Sequence, residues 1–232
     1  MVTIRNVYSF KNLIDNTKVE AFQTAMIEFY KKFGRDFPWR HTSDPWIVLL
    51  SELLLRKTSA KQVEKIFPEL SQYTPCELSK LDLDVLSRIL TPLGIHKQRA
   101  RLIRRVAYLV CKRGGVPPNE KMLIELPGVG RYTANAVLCI SYSIPRAMMD
   151  RNMIRVIERF FGIKSSKKRP HTDRALWEFA NSLVPKENCK EFNWGVLDFA
   201  AQVCTARSPK CSSCPLRNFC ESYTSLQGRN SQ

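Results

Sequence analysis

Apolar residues recur along most of this chain at intervals of three and four, which is the spacing of one face of an α-helix. The alternation that marks a half-buried strand is scarce. Asp44 followed by Pro45 is a clear helix start, because aspartate caps the first amides and proline suits the first helical position. The pattern predicts an all-α protein, with helices over residues 19–33, 44–57, 59–70, 76–81, 83–91, 96–113, 119–126, 131–142, 151–161, 172–184 and 190–204.

The charge balance adds a candidate partner to this picture. The chain has 37 Lys and Arg against 21 Asp and Glu, a formal net charge of +16, which favours a polyanionic partner such as nucleic acid. A generically basic surface is the alternative that charge alone leaves open. No apolar run is long enough for a membrane span or a signal peptide, so we expect an intracellular protein without a membrane-bound segment.

Four cysteines near the C-terminal end have the spacing C-x6-C-x2-C-x5-C. They are Cys204, Cys211, Cys214 and Cys220. Four thiolates from one short irregular segment can surround an iron–sulfur cluster, because each needs only to point at its own iron. Zinc is the alternative, but structural zinc sites usually have two short C-x2-C pairs and this segment has one. The spacing therefore favours one 4Fe-4S cluster over zinc.

The other four cysteines, Cys76, Cys111, Cys139 and Cys189, lie in apolar or helix-like stretches. Their spacing is not that of a disulfide framework. We expect them to be small buried hydrophobic residues. The absence of disulfides would in turn indicate a reducing compartment.

The segment LPGVGRYTA, residues 126–134, lies between two predicted helices. Gly128 and Gly130 allow a tight turn and a close approach of the backbone to a ligand, while the amides that open the next helix point outward. Such a hairpin can bind a DNA phosphate without reading the bases. An ordinary tight turn between helices is the alternative.

Three elements in this order resemble the helix-hairpin-helix DNA glycosylases of the endonuclease III superfamily: the LPGVG hairpin, an aspartate about twenty residues later, and the four-cysteine segment. The resemblance extends from about Phe33 to Cys220. It implies a two-lobed all-α fold with a C-terminal iron–sulfur cluster loop, acting as a monomer on double-stranded DNA that contains a mismatch. We expect residues 30–143 to form a six-helix lobe with the hairpin, and residues 1–29 with 144–232 to form the cluster lobe.

The resemblance assigns the chemistry to two carboxylates. Asp150 would be the catalytic carboxylate, because cleavage of an N-glycosidic bond builds positive charge on the sugar and an anion near C1′ stabilises it. The local sequence also fits an N-cap for the next helix, and the two roles are compatible. Glu52, in the segment W-x-x-x-L-S-E, would contact the flipped base and help to protonate the leaving group. An ion pair with Arg56, four residues on, is the alternative for Glu52.

Tyr132 stands where bifunctional relatives such as endonuclease III have a lysine. That lysine attacks C1′ and forms a Schiff base that leads to strand cleavage, which a phenol cannot do. Arg131 stays protonated and cannot replace the amine. We therefore expect a monofunctional enzyme that uses water and leaves an abasic site, with weak lyase activity through Lys57 left open.

The resemblance also indicates the DNA contacts. Arg56 and Lys57 would enter the gap left by the flipped base, although solvated surface charges are an equal alternative. The hairpin residues Gly128, Val129, Gly130 and Arg131 would hold the DNA backbone, and the basic stretch 96–113 offers further phosphate contacts.

Two subfamilies fit these features. Adenine glycosylases typically have Q-Q-T-Q after the glutamate, V-D-G-N at the aspartate and an added C-terminal domain, whereas this chain has LRKT, has DRN, and ends twelve residues after Cys220. Its runs FPWRHTSDPW and SELLLRKTSA look more like thymine mismatch glycosylases. We expect removal of thymine or uracil opposite guanine. The alternatives are an adenine glycosylase for A:G or A:8-oxoguanine, an endonuclease III-like lyase, and a non-catalytic DNA-binding module.

Overall fold

Twelve α-helices and two very short strands make up the part of the chain that the structure describes. The structure is a computed structural model that describes residues 2–3 and 15–230, with side chains over 15–225. The N-terminal stretch that was searched for a signal peptide lies largely outside these residues. Within the described ranges no helix has both the length and the apolar character needed to cross a membrane.

The all-α prediction is confirmed, and each predicted helix is present with bounds that differ by a few residues. The helices are α1 Asn16–Phe33, α2 Pro45–Leu54, α3 Ala60–Leu70, α4 Pro75–Lys80, α5 Leu83–Ile89, α6 His96–Lys112, α7 Glu120–Ile124, α8 Arg131–Tyr142, α9 Arg151–Phe161, α10 Arg174–Ser182, α11 Cys189–Gln202 and α12 Glu221–Asn230. The sequence pattern did not predict α12. The strands β1 Val2–Thr3 and β2 Ile163–Lys164 pair in parallel.

Side-chain caps account for several of the helix starts. Asp44 accepts hydrogen bonds from the backbone N–H groups of Trp46 and Ile47 at 2.8 and 2.9 Å, and Pro45 follows it as the first helical residue. Asp82 caps α5 in the same way. These caps satisfy amides that have no partner inside the helix, so the starts of α2 and α5 are fixed locally by the sequence.

The chain divides into two compact units, one formed by Met1–Arg35 with Pro145–Gln232 and the other by Asp36–Ile144. In the first unit α1 packs against α11. Gly195 on α11 permits this approach, since a Cβ there would lie 2.0 Å from the carbonyl oxygen of Met26. The ring of Phe22 lies 5.2 Å from that of Phe160 in the same core. Helix α1 runs without a break through residue 30, the predicted first residue of the six-helix lobe.

The second unit is built around three helix pairs: α2 packs against α8, and α6 packs against both α4 and α5. A disulfide between Cys76 on α4 and Cys111 on α6 joins one of these pairs. The prediction that these two cysteines are simple buried hydrophobic residues is therefore wrong, and the argument for a reducing compartment loses its support. Cys139 and Cys189 are buried, as predicted.

Candidate active site and iron–sulfur segment

A short turn follows α2, and Arg56 and Lys57 lie on it. The sequence pattern extended this helix to residue 57, but it ends at Leu54 because Arg99 of α6 takes up the carbonyl groups at its end. The guanidinium of Arg99 donates to the carbonyl oxygens of Leu53 and Leu54, both at 3.2 Å, and to that of Arg56 at 3.0 Å. Burial, and then the charge of Arg56, lower the pKa of Arg99. Arg99 thus fixes the turn.

Lys57 has a left-handed backbone, with φ 54°. Few residues other than glycine adopt this conformation, and it is costly enough that such residues cluster at functional sites. The side chains of both Arg56 and Lys57 are exposed. Arg56 and Lys57 were predicted from the sequence as DNA contacts. Arg99 was not, because its only signal was its place in the basic stretch 96–113.

The LPGVG hairpin contacts this turn directly. Arg56 donates to the carbonyl oxygen of Gly128 at 2.9 Å. Gly128 has φ +76°, and a Cβ at this position would lie 2.6 Å from the Arg56 guanidinium and 3.1 Å from Leu102. Only glycine satisfies both the backbone conformation and the close approach. The hairpin and the turn are therefore one contiguous surface.

The remaining hairpin residues are used unequally. Val129 is buried and its N–H donates to the carbonyl oxygen of Leu126 at 3.1 Å, so neither its side chain nor its amide faces a ligand. Arg131 forms an ion pair with Glu120 at 3.0 Å. Gly130 is the N-cap of α8, and helix-start amides are the groups that bind phosphate. Of the residues 128–131 that were expected to contact phosphate, Gly130 and the first turn of α8 therefore remain the best candidates.

Glu52 and Tyr132 lie at the same end of a helix pair. Asp44, at the start of α2, lies close enough to Tyr142, at the end of α8, to add to the effect of burial in raising the pKa of this tyrosine. The end of α2 meets the start of α8, because Arg56 just after α2 donates to the carbonyl oxygen of Gly128 just before α8, so the packed helices run antiparallel. Glu52, near the end of α2, and Tyr132, in the first turn of α8, are both half-buried at the opposite end, beside the hairpin.

Ile95 is a functional candidate that the sequence analysis missed. It precedes α6 with φ 49° and is 62% exposed. Together with Arg56 and Lys57 it lines a groove of ≈ 260 Å³. A large apolar side chain exposed in a groove that two cations also line is a candidate contact for a ligand. The sequence signal was an isoleucine between Gly94 and the first residue of the basic helix.

Asp150 belongs to the other unit and is held rigidly at the start of α9. Its Oδ1 accepts from the backbone N–H groups of Asn152 and Met153, both at 2.8 Å, and its Oδ2 accepts from the side-chain amide of Asn152 at 2.6 Å. The predicted N-cap is present. The carboxylate is half-buried, and both of its oxygens are fixed by donors.

A chain of hydrogen bonds leads from Asp150 to the cysteine segment. Arg155 donates to Oδ1 of Asn152 at 3.1 Å, and also to the carbonyl oxygens of Ala200 at 2.9 Å and Cys204 at 3.0 Å. The side-chain partner of the carboxylate is thus itself held by the polypeptide that carries the first of the four cysteines.

The four cysteines Cys204, Cys211, Cys214 and Cys220 are free and half-buried, and they line one cavity of ≈ 200 Å³. Among the described side chains no three His, Cys, Asp or Glu converge as ligands of a single ion. The four thiols therefore surround a cavity and do not converge on the position of one metal ion. This arrangement suits a cluster with its own iron and sulfide better than one zinc ion.

Burial in the cavity disfavours the thiolate form of two of the four cysteines. Burial, and then the other three cysteines, raise the pKa of Cys214 to about 11, although an N–H of Leu216 opposes the shift. Burial likewise raises the pKa of Cys220. Four thiolates can share this site only if bound cations neutralise them. Arg159 contributes from the wall, since it donates to Sγ of Cys204 at 3.5 Å and to the carbonyl oxygen of Thr205 at 2.7 Å.

Two family models match the regions that contain these sites. Residues 204–220 match the iron-sulfur binding domain of endonuclease III, so the cysteine segment is an iron–sulfur site. Residues 50–182, which include Glu52, the hairpin and Asp150, match the HhH-GPD superfamily of base excision DNA repair proteins. The chain belongs to the HhH-GPD superfamily.

Relatives within the HhH-GPD superfamily are similar over nearly the whole chain. The thymine/uracil-DNA glycosylase of Pyrobaculum aerophilum is 51% identical, over 88% of this chain and 91% of its own length. The thymine-DNA glycosylase of Aeropyrum pernix is 44% identical, over 90% of this chain and 97% of its own length. The solved structure of a thermostable thymine-DNA glycosylase superposes with a TM-score of 0.85 at 38% identity, covering 90% of this chain and 98% of that chain.

Adenine glycosylases in the HhH-GPD superfamily are more distant. The adenine DNA glycosylase of Buchnera aphidicola subsp. Baizongia pistaciae is 29% identical over 88% of this chain, and the match covers 58% of its own length. The resemblance to helix-hairpin-helix DNA glycosylases that the sequence motifs indicated is confirmed, and so is the greater likeness to thymine mismatch glycosylases.

Proposed function

We propose that this protein removes thymine or uracil mispaired with guanine in double-stranded DNA, by hydrolysis of the N-glycosidic bond, and leaves an abasic site. The names of its relatives support this substrate class. A mismatched base costs less free energy to extrude from the duplex than a paired one. The extrusion step therefore favours mispaired bases.

The main support for hydrolysis of an N-glycosidic bond is the carboxylate of Asp150, which hydrogen bonds hold in place. Two backbone amides and the Asn152 amide hold it, so it needs no rearrangement when positive charge develops on the sugar. A preorganised anion of this kind stabilises an oxocarbenium-like transition state. Asp150 would stand beside C1′ of the extruded nucleotide, and water would complete the hydrolysis.

Glu52 and Tyr132 are proposed to form the base pocket. Both are half-buried at the hairpin end of the α2 and α8 pair. Glu52 would hydrogen-bond to the base and help to protonate the leaving group, and the ring of Tyr132 would stack on it. Because position 132 carries a phenol and not an amine, no Schiff base forms there.

The surface made by the turn and the hairpin is proposed to hold the opened duplex. Gly130 and the first turn of α8 would bind a phosphate, while Arg56 and Lys57 would enter the space that the extruded nucleotide leaves. Ile95 would insert between neighbouring bases, since apolar wedges that partly unstack a step are a common device of proteins that distort DNA.

The cysteine segment is proposed to bind one 4Fe-4S cluster through Cys204, Cys211, Cys214 and Cys220. When bound, the cluster would cross-link these four residues and hold the segment that supports Arg155 and Asn152. The hydrolysis itself moves no electrons. We further propose that the protein acts as a monomer.

An adenine glycosylase is the second candidate, because adenine glycosylases of the same superfamily match most of this chain. Duplexes that contain T:G, U:G, A:G or A:8-oxoguanine distinguish the two functions. After incubation with the enzyme, hot alkali cleaves the strand only where a base has been lost. Cleavage at thymine and uracil supports the proposal, and cleavage at adenine alone overturns it.

The matched variant for this experiment is Asp150→Asn, which keeps the size and most hydrogen bonds of the side chain but removes its charge. We expect base release to be abolished while binding to the T:G duplex persists. Wild-type single-turnover excision by this variant would contradict the assignment of Asp150.

A further inference from the structure

A second cationic site lies on α6, away from the turn and the hairpin. Arg101, Arg104 and Arg105 line a cleft of ≈ 360 Å³ between α6 and the helices α4 and α5. Tyr108 completes the wall, with the guanidinium carbon of Arg105 at 5.4 Å from the centroid of its ring. Tyr108 is 46% exposed.

The charge in this cleft is largely uncompensated. Among the described residues no salt bridge engages Arg101, Arg104 or Arg105, although Arg104 donates to the carbonyl oxygen of Leu81 at 3.5 Å. Asp82 is the carboxylate nearby. Its pKa is lowered first by hydrogen bonds from the N–H groups of Val85 and Asp84 and then by Arg104. Asp82 caps α5, and Arg101 and Arg105 have no salt-bridge partner among the described residues.

The cleft continues the surface that carries the turn. Gln98 lines the groove of Arg56 and Lys57, and Arg101 and Arg105 follow it at helical spacing on one side of α6. From Gln98 to Tyr108 the helix rises about 15 Å, which equals four to five base steps of a duplex. A cationic strip therefore leads from the turn into the cleft.

The two walls of the cleft are covalently joined. Cys76 lies one turn before Ser79 on α4, and the Ser79 hydroxyl donates to the carbonyl oxygen of Cys76 at 2.7 Å. Cys111 lies one turn after Tyr108 on α6, and the Cys76–Cys111 disulfide closes the pair. The disulfide ties α4 to α6, so the two helices that form the walls of the cleft are held together before any ligand arrives.

We propose that this cleft is an auxiliary phosphate-binding site that holds the backbone of duplex DNA flanking the excision site. It would strengthen binding to any duplex long enough to reach it and would take no part in the removal of the base. The inference rests on the proposed DNA repair function, and it adds a second contact region to the one formed by the turn and the hairpin.

The test is the salt dependence of binding to duplexes of different lengths that each contain one T:G mismatch. The double variant Arg101→Gln, Arg105→Gln removes two cations and leaves Arg104 with its bond to Leu81. On a duplex of about 30 base pairs, the slope of log Kd against log salt concentration should fall by about 2, since each phosphate contact contributes about 0.9. Two further duplexes have only about three base pairs on the 5′ side or on the 3′ side of the mismatch, which is too short to span the four to five base steps to the cleft. Wild-type and variant slopes should agree on the duplex whose short side faces the cleft.

A control variant removes the same charge elsewhere. Lys31→Gln, Lys32→Gln changes two exposed lysines on α1, outside the unit that contains the cleft, and should leave the slope for the long duplex unchanged. Equal slopes for wild type and the arginine variant on the long duplex would overturn the proposal.

Base excision is measured separately, on saturating short T:G duplex. The arginine variant should retain the wild-type single-turnover rate, and a large loss would overturn the auxiliary role. A reduced slope together with no excision by any form of the protein would support the cleft and refute the proposed function, so the two failures are distinguishable.

Discussion

The side-chain amide of Asn152 donates to the carboxylate of Asp150 at 2.6 Å, and the carbonyl oxygen of the same amide accepts from Arg155 at 3.1 Å. Arg155 also donates to the carbonyl oxygen of Cys204. One asparagine thus couples the carboxylate proposed to stabilise the transition state to the segment that binds the iron–sulfur cluster. The geometry of Asp150 therefore depends on residues far along the chain, and not only on its own helix start.

Asn152→Ala removes this link and leaves the backbone amide bonds to Oδ1 in place. A hydrogen bond to a charged group contributes about 1.5 to 3 kcal/mol, so we expect single-turnover excision of thymine from T:G to slow by about 10- to 100-fold. Binding to the duplex should change little. An unchanged rate would show that the two backbone amides suffice to orient Asp150.

Ile95→Ala tests the proposed apolar wedge. Truncation of an exposed side chain leaves the fold intact, so the melting temperature should stay within the error of the wild type. We expect excision from duplex DNA to fall by about 10-fold, because less of the cost of unstacking is recovered. The same base in single-stranded DNA, which needs no unstacking, serves as the internal control, and an equal loss on both substrates would contradict the wedge.

Tyr132→Lys tests why the protein should be monofunctional. An amine in the first turn of α8 could attack C1′, form a Schiff base and cleave the strand. We expect borohydride to trap a covalent protein–DNA adduct with this variant and not with the wild type or with Tyr132→Phe. A stoichiometric adduct with the wild-type protein would refute the monofunctional assignment.

Arg159→Leu tests the wall of the cysteine cavity. The variant loses the donor to Sγ of Cys204 and the bonds to the carbonyl oxygens of Thr205 and Ala206. We expect iron content and the visible absorption of the cluster to decline several-fold faster in air, because outer partners of metal ligands affect retention by about 10- to 100-fold. Arg207→Leu, an exposed change on the same segment but outside the cavity lining, is the control, and equal retention in both variants would contradict this role of Arg159.

The Cys76–Cys111 disulfide should stabilise the second unit, because it reduces the conformational entropy of the unfolded chain. For a sequence separation of 35 residues, loop closure predicts about 3 to 4 kcal/mol, which corresponds to a fall in Tm of about 6 to 15 °C. Cys76→Ser, Cys111→Ser should show this loss by calorimetry, and a reductant should lower the Tm of the wild type but not of the variant. Free thiols at both positions in the oxidised protein would show that the bond is not formed.

Local patterns made the helices and the cysteine site predictable. Asp44 and Asp150 were correctly read as helix caps, because a cap requires only a side-chain oxygen and the next two or three amides. The cysteine spacing indicated an iron–sulfur segment for a similar reason: four ligands on a stretch of seventeen residues are close together in any compact fold. The end of α2 was predicted too late, because the residue that terminates it, Arg99, comes from another helix.

The sequence by itself therefore determined the all-α class, the helix starts, the hairpin and the iron–sulfur segment, since each depends on residues near one another in the chain. Only the tertiary structure decided that Cys76 bonds to Cys111, that Arg99 shapes the turn of Arg56 and Lys57, and that Arg155 ties Asn152 to the cysteine segment. These contacts join residues 35 or more positions apart, and their partners are chosen by how helices pack, which periodicity along one chain does not specify.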